Sequence, residues 1–289
     1  MKRKSKRRKI SGYQVLSTLL ILLLVAFGAL PLLYLISSAF KPIDEILRFP
    51  PLFIVRKPTL VNFRNLFLSL SSTTVPYLRY VFNSLVVTVL TVAASVIICS
   101  LGAYGMVKHN PWGGRAIMAF VVAALCFSPY VTQIPNYLTV IRLGLNNTWW
   151  ALILPKVAVA YNFYLMERFT TQIPDSILEA ARIDGAREFR VFWQIAMPML
   201  KPAWSTLIVF AFVSSWNDAF SPLVFISSQA KKTLPLALQT IAGGTATADL
   251  SRMGATMAAA LITTLPTIIL FMIMQGRVIQ TMAYSGIKG

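Results

Sequence analysis

The sequence predicts an all-α, polytopic membrane protein with six transmembrane helices. Three observations lead there. Of the 289 residues, 56% are hydrophobic and only 12% charged, about half the charge of an ordinary soluble domain. Tyr13–Phe40, Tyr80–Val107, Ala116–Ile141 and Met253–Gly276 contain no Lys, Arg, Asp or Glu, and each exceeds the roughly 20 residues that span a bilayer as a helix. These runs are continuously apolar rather than alternating, which excludes the strands of a membrane barrel.

Two further spans are interrupted by one charge each: Trp149–Met166 by Lys156 and Pro202–Ile226 by Asp218. In chain order the predicted spans are 15–38, 80–107, 116–138, 149–166, 202–226 and 255–275, within a transmembrane domain 13–281. Residues 1–12 form a basic head and 282–289 a short tail. Lys2, Arg3, Lys4, Lys6, Arg7, Arg8 and Lys9 precede the first span and favour a cytoplasmic N-terminus. An even number of spans puts both termini there. A basic run can also mark nucleic-acid binding, but beside so long an uncharged stretch it reads as a topology signal, and no nucleic-acid partner is expected. The apolar run is too long for the core of a cleaved signal peptide. The net charge of +18 reflects this head and the loops near lipid headgroups.

Between the first two spans, Pro42, Pro50, Pro51 and Pro58 break helices, leaving an outer segment with one short helix near Leu60–Leu70. His109-Asn110-Pro111-Trp112-Gly113-Gly114 is a tight turn. Pro129 and Pro135 kink span three. Asn146-Asn147-Thr148 is an outer turn, and Ser227–Arg252, with Gly243-Gly244, is a second outer segment. Cys99 and Cys126 lie in apolar spans with no motif spacing, so neither a disulfide framework nor a metal site is expected.

The most informative segment is Ile173–Pro202, within a loop 169–201. Asp175, Glu179, Asp184 and Glu188 face Arg182, Arg187, Arg190 and Lys201, and four of the nine acids of the chain are here. A plain connector needs only a few residues. Pro174 and Asp175 open a helix, Ser176 and Glu179 have capping-box spacing, and Gly185 suits a left-handed helix stop. A second helix then starts near Ala186, with Phe189, Phe192 and Trp193 as its apolar face.

Glu179-Ala180-Ala181 followed by Gly185 and Pro198 resembles the "EAA" loop of permease subunits of binding-protein-dependent ABC importers. The longer string from Glu179 to Ala186 is similar to that of carbohydrate importers of the maltose-transporter type. Ser38-Ala39-Phe40-Lys41-Pro42, Asn83-Ser84, Leu143-Gly144-Leu145 and Trp216-Asn217-Asp218 extend the likeness along the chain. Ser285-Gly286-Ile287-Lys288-Gly289 resembles the ending of the G-type maltose permease. The resemblance implies the type I ABC importer permease fold. It also implies a second, F-type permease subunit as heterodimer partner, a cytoplasmic ATPase dimer, an extracytoplasmic sugar-binding protein and a bacterial or archaeal cytoplasmic membrane. Glu179, Ala180, Ala181, Asp184, Gly185 and Pro198 would form the coupling element seated on the ATPase, with Lys288 and Gly289 as candidate tail contacts. The alternative role for Glu179 is to cap its own helix.

No P-loop string Gly-x-x-x-x-Gly-Lys-Ser/Thr occurs. ATP and Mg2+ are therefore expected on a partner chain, with no cofactor on this one. The lone His109 and the absence of a His-Glu-x-x-His string argue against catalysis. For substrate contact, an intramembrane acid is costly and often functional, which selects Asp218 beside Trp216 and Asn217, with Asn83 and Gln133 as candidates for the same cavity. Asp218 would otherwise tie two helices together or sit in water near the outer interface, and Lys156 would snorkel or pair with a polar neighbour. A stand-alone secondary transporter would carry paired charges and inverted repeats, and a membrane assembly factor or enzyme a catalytic cluster or soluble domain.

Overall fold

In a lipid environment a chain must satisfy its backbone within each segment, and here it does so with helices alone: among the described residues there is no strand. The computed structural model describes residues 12–71, 75–242 and 253–286. The basic head, Gly243-Gly244, Arg252, Lys288 and Gly289 lie outside them. The helices are α1 (Gly12–Ala39), α2 (Ile43–Ile46), α3 (Val61–Ser71), α4 (Tyr77–Lys108), α5 (Gly114–Leu125), α6 (Gln133–Arg142), α7 (Trp150–Val157), α8 (Ala160–Thr170), α9 (Asp175–Ile183), α10 (Glu188–Val191), α11 (Met197–Met199), α12 (Lys201–Trp216), α13 (Phe220–Phe225), α14 (Leu234–Ala242) and α15 (Met253–Gly286).

Among the described residues, three helices are long and apolar enough to cross a membrane: Val15–Ala39, Tyr77–Lys108 and Met253–Val278. Glu188–Met199 and Lys201–Trp216 pass the same test together but are bent by 78°. The other expected spans are divided. Residues 116–138 are not one helix, because α5 stops at Leu125 and α6 starts at Gln133. Pro129 sits in that gap, where it has no N–H to give and disfavours helix at Ser128. Residues 149–166 break at Ala158 and Val159, both outside helical geometry, three residues after Pro155 removes a hydrogen bond from α7. Residues 202–226 break after Trp216. Cys126, in an apolar run, caps the end of α5 and is exposed, whereas Cys99 is buried.

The chain divides into two compact units, residues 1–68 with 245–261 and residues 69–244 with 262–289. In the first, none of the most apolar window of α1 is buried, so that helix is built to face lipid or another chain. The segment after it folds on itself. Lys41, buried at 2% exposure, donates to the Leu52 carbonyl. The buried Glu45 carboxylate accepts the Arg56 and Lys57 backbone N–H groups at 3.1 and 3.0 Å. Asn62 donates to the Ala39 and Lys41 carbonyls at 2.9 and 2.7 Å, satisfying the end of α1.

In the second unit α4 is the central post, packed against α7, α8 and α12. At its start Asn83, fully buried, donates to the Ala230 and Lys232 carbonyls at 2.8 Å each, and Ser84 Oγ accepts the Leu234 N–H at 2.7 Å. Asn147, with φ of +57°, accepts the Ser228 N–H on its side-chain oxygen and the Lys231 ammonium on its carbonyl. The segment after α13 is thus bound both to the start of α4 and to the Asn147 turn. At the far end of α4, buried Cys99, Ala103 and Tyr104 share a core with Met166 of α8, Leu178 of α9, Val191 and Phe192, and Ala203 and Leu207 of α12. The loop between α8 and α12 is therefore part of the folded unit.

Within the first unit, a Cβ at Gly254 would lie 2.6 Å from Asn62 Cγ and closer still to its oxygen. Two hydrogen bonds hold that amide, so it cannot yield cheaply. Gly254→Val is expected to cost about 1–3 kcal/mol and lower the thermal unfolding midpoint in detergent. Gly28→Ala, inside α1 where a Cβ meets nothing within 4 Å, should not lower that midpoint.

Candidate functional site

Two features collect the residues singled out in the sequence: the loop over α9 to α11, and a cavity in the same unit. Helix α9 begins at Asp175 after Pro174, and no side-chain cap is formed. The Ser176–Glu179 capping box is therefore absent, because Ser176 already lies inside the helix. Glu179 is exposed and has no side-chain hydrogen bond or ion pair among the described residues. Ala180 and Asp184 are exposed too, and Ala181 is half-buried against the core.

The helix ends as the Gly185 position requires. Gly185 has φ of +82°, its N–H donates to the Arg182 carbonyl and the Ala186 N–H to the Ala181 carbonyl, both at 3.0 Å. This double bond pattern is the Schellman stop, and Gly144 repeats it at the end of α6, with Leu145 N–H on the Val140 carbonyl at 3.1 Å. The chain then re-enters helix at Glu188, two residues later than expected. Phe192–Ala196 widens into a π-helical turn, a form frequent at functional sites. Pro198 follows on the exposed surface, just before the bend at Leu200.

Of the expected aromatic face of α10, only Phe192 is buried. Phe189 is 72% exposed. With Ile183 at 86% and Ile177, it leaves the outer side of the loop both apolar and charged. The inner side is bonded to α4. Tyr104 donates to Glu188 Oε2 at 3.0 Å. Arg182 donates to Glu188 Oε1 at 2.5 Å. Lys108 donates to the Ile173 carbonyl and to Asp175 at 2.6 and 2.7 Å. The Arg182 guanidinium, through its hydrogen bond, holds the Glu188 carboxyl below the usual carboxylate range. The folded-state value being lowered, this contact is present at neutral pH and is lost only as pH falls below that range.

The cavity encloses about 1150 Å3 between the α5–α6 segment, the α7–α8 segment and the end of α12 with α13. Gln133, Asn217 and Asp218 line it, as do Asn136, Tyr137 and Tyr161. Trp216 does not: it is buried, stacked on Phe212 and donates to the Thr263 carbonyl at 2.9 Å. Asn83 does not either, being engaged at the start of α4. Lys156 and Asp218 form an ion pair of 2.5 Å on the cavity wall, with side chains 18% and 14% exposed. Each also completes a helix break. Lys156 donates to the Ser214 carbonyl at the open end of α12, and Asp218 Oδ1 accepts the Ser221 N–H at the start of α13 at 3.0 Å. The two interrupting charges in the apolar pattern were the signal for this pairing, although no spacing rule connects positions 62 apart.

Residues 95–284, which include both features, match the family described as "Binding-protein-dependent transport system inner membrane component". The chain belongs to that family. Among curated relatives of this transport component, Protein LplC of Bacillus subtilis is 30% identical over 277 residues, covering 91% of this chain and 90% of LplC. The arabinooligosaccharides transport system permease protein AraQ of the same species is 26% identical, covering 97% and 98%. The fold is that of a crystallised bacterial ABC transporter involved in the import of the acidic polysaccharide alginate, with a TM-score of 0.78, 21% identity and coverage of 96% of this chain and 99% of that one. The component is embedded in a membrane.

Removing one member of the Lys156–Asp218 pair leaves a charge without its partner among apolar helices. Lys156→Met and Asp218→Asn are each expected to destabilise the transport component by about 3–5 kcal/mol. The double variant Lys156→Met/Asp218→Asn should recover most of that loss, read as thermal unfolding in detergent.

Proposed function

We propose that the chain is one of two permease subunits of an ATP-driven importer that moves a sugar or oligosaccharide across the bacterial or archaeal cytoplasmic membrane. ATP and Mg2+ bind to a separate ATPase dimer, and the loop 169–201 is where that ATPase engages. An extracytoplasmic binding protein delivers the cargo. The observation that carries the reading is the outer side of α9: Glu179, exposed and unpaired among the described residues, beside Ala180 and an exposed Ile183, on a helix closed by Gly185. A rigid short helix with a free carboxylate and small neighbours suits insertion into a cleft of another chain.

Several features support the remaining assignments. Curated relatives are named as permease proteins of saccharide transport systems, AraQ for arabinooligosaccharides and YtcP for polygalacturonan/rhamnogalacturonan. The most apolar window of α1, none of it buried, suits lipid together with a second, F-type permease subunit. The basic head favours cytoplasmic termini, which puts the loop on the ATPase side. Lys288 and Gly289 are assigned as tail contacts to the ATPase on the family likeness of the ending. Gln133, Asn217 and Asp218, with Tyr137 and Tyr161 beside them, give the cavity hydrogen-bonding groups and aromatic faces, the chemistry that grips a polyhydroxylated ring. Transport follows when the ATPase dimer closes on ATP and displaces the seated loop, switching the spans between inward- and outward-facing states.

Glu179→Lys is expected to reduce co-purification of the ATPase at least about tenfold, equivalent to 1.4 kcal/mol, while the chain remains inserted in the membrane. Gly185→Val, which forces a branched side chain into a left-handed conformation costing about 1–2 kcal/mol, should do the same. Undiminished ATPase recovery with both variants overturns the docking assignment.

A further inference from the structure

A loop that receives force must hand it to the spans. The chain joins the loop to α8 and α12 only at its two ends, and one carboxylate in the middle does more. Glu188, the first residue of α10, accepts the Tyr104 hydroxyl from α4 on one oxygen and the Arg182 guanidinium from α9 on the other. It thereby touches three helices. Around it, His109 Nε2 lies 3.7 Å from Oε2 and its ring meets the Tyr104 edge at 5.7 Å. The Tyr104 ring packs on Phe192 at 5.3 Å. Lys108, one turn along α4, holds the entry to α9 through Ile173 and Asp175.

We infer that Glu188 is a positioning residue that locks both helices of the loop to the end of α4, so that displacement of the loop moves α4 as a rigid lever. The inference rests on the proposed docking of an ATPase at the loop. Stability is a poor account of the cluster, since ion pairs with this much exposure contribute little. Leverage is a better one. The post that Glu188 grips is packed along its length on α7, α8 and α12, and α7, α8 and α12 carry Lys156, Tyr161 and Ser214 into the cavity wall. A contiguous packed element with a fixed handle at the loop is what coupling between separated sites needs. With the Glu188 contacts gone, α10 and the end of α9 keep only their apolar packing and the Lys108 contacts, and ATPase turnover moves the wall far less.

The test uses the full complex in lipid nanodiscs, with Ser214→Cys as reporter on the cavity wall and the exposed Cys126 changed to Ser. Labelling of position 214 by a membrane-impermeant maleimide is followed by mass spectrometry, without nucleotide and after trapping with ATP, Mg2+ and vanadate. The reference complex should show a labelling change of about fivefold or more. Glu188→Gln should retain the ATPase and its hydrolysis but bring the ratio close to one, and Tyr104→Phe, which keeps the packing on Phe192, should lose most of the change. The double variant should be no worse than Glu188→Gln, because the two act through one contact. An unchanged ratio in both single variants overturns the inference. So does loss of the ATPase from Glu188→Gln, which would place Glu188 in the docking surface. A reference complex with no nucleotide-dependent change overturns the coupling reading itself, and the Glu179→Lys result separates that failure from this one.

Discussion

Lipid offers no hydrogen bonds, so every helix end that falls inside the apolar region has to be satisfied by the protein itself. This constraint explains the most unusual feature of the structure, its interrupted spans. Where α12 ends and α13 begins, Lys156 covers an open carbonyl and Asp218 covers an open N–H. Their mutual attraction then settles two charges that neither helix could carry alone. The same pair forms part of the wall of a large cavity. Breaking helices there places polar side chains and irregular backbone against a space, and the ion pair is what makes the break tolerable.

The constraint acts differently at the loop between α8 and α12. Outside the apolar region, caps can come from local backbone. Gly185 closes α9 with its own amide and the next one, and the Glu179 side chain makes no hydrogen bond or ion pair among the described residues. Inner contacts to α4 fix the loop, and Glu179, Ile183 and Phe189 form an exposed outer face. A surface that is rigid, exposed and of mixed character is suited to another subunit, in keeping with membership of a family of transport components that work with binding proteins. The π-helical turn and the 78° bend then carry the chain back from the surface into α12.

Much of this was legible in residue order. Long uncharged runs, the turn at Asn110–Gly114, the stop at Gly185 and the charged loop are local patterns, set by burial in lipid and by backbone conformations that only certain residues adopt. Local rules also misled. Ser176 and Glu179 have the spacing of a capping box, but the helix is capped at Pro174, two residues too early for it. Apolarity alone reads 116–138, 149–166 and 202–226 as single spans, because hydropathy reports surroundings and is insensitive to a short break inside them.

The sequence by itself determined that the chain is helical and membrane-embedded and that its information-rich element is the segment around Glu179 and Gly185. These follow from composition and from motifs within one turn or two of helix. Tertiary structure decided which side chains meet: that Lys156 neutralises Asp218, that Asn83 and Trp216 are structural ties while Gln133 and Asn217 reach the cavity, and that Glu188 joins three helices. The reason is distance along the chain. Most of those partners lie tens of residues apart, and only the packing of helices against one another brings them within hydrogen-bonding range.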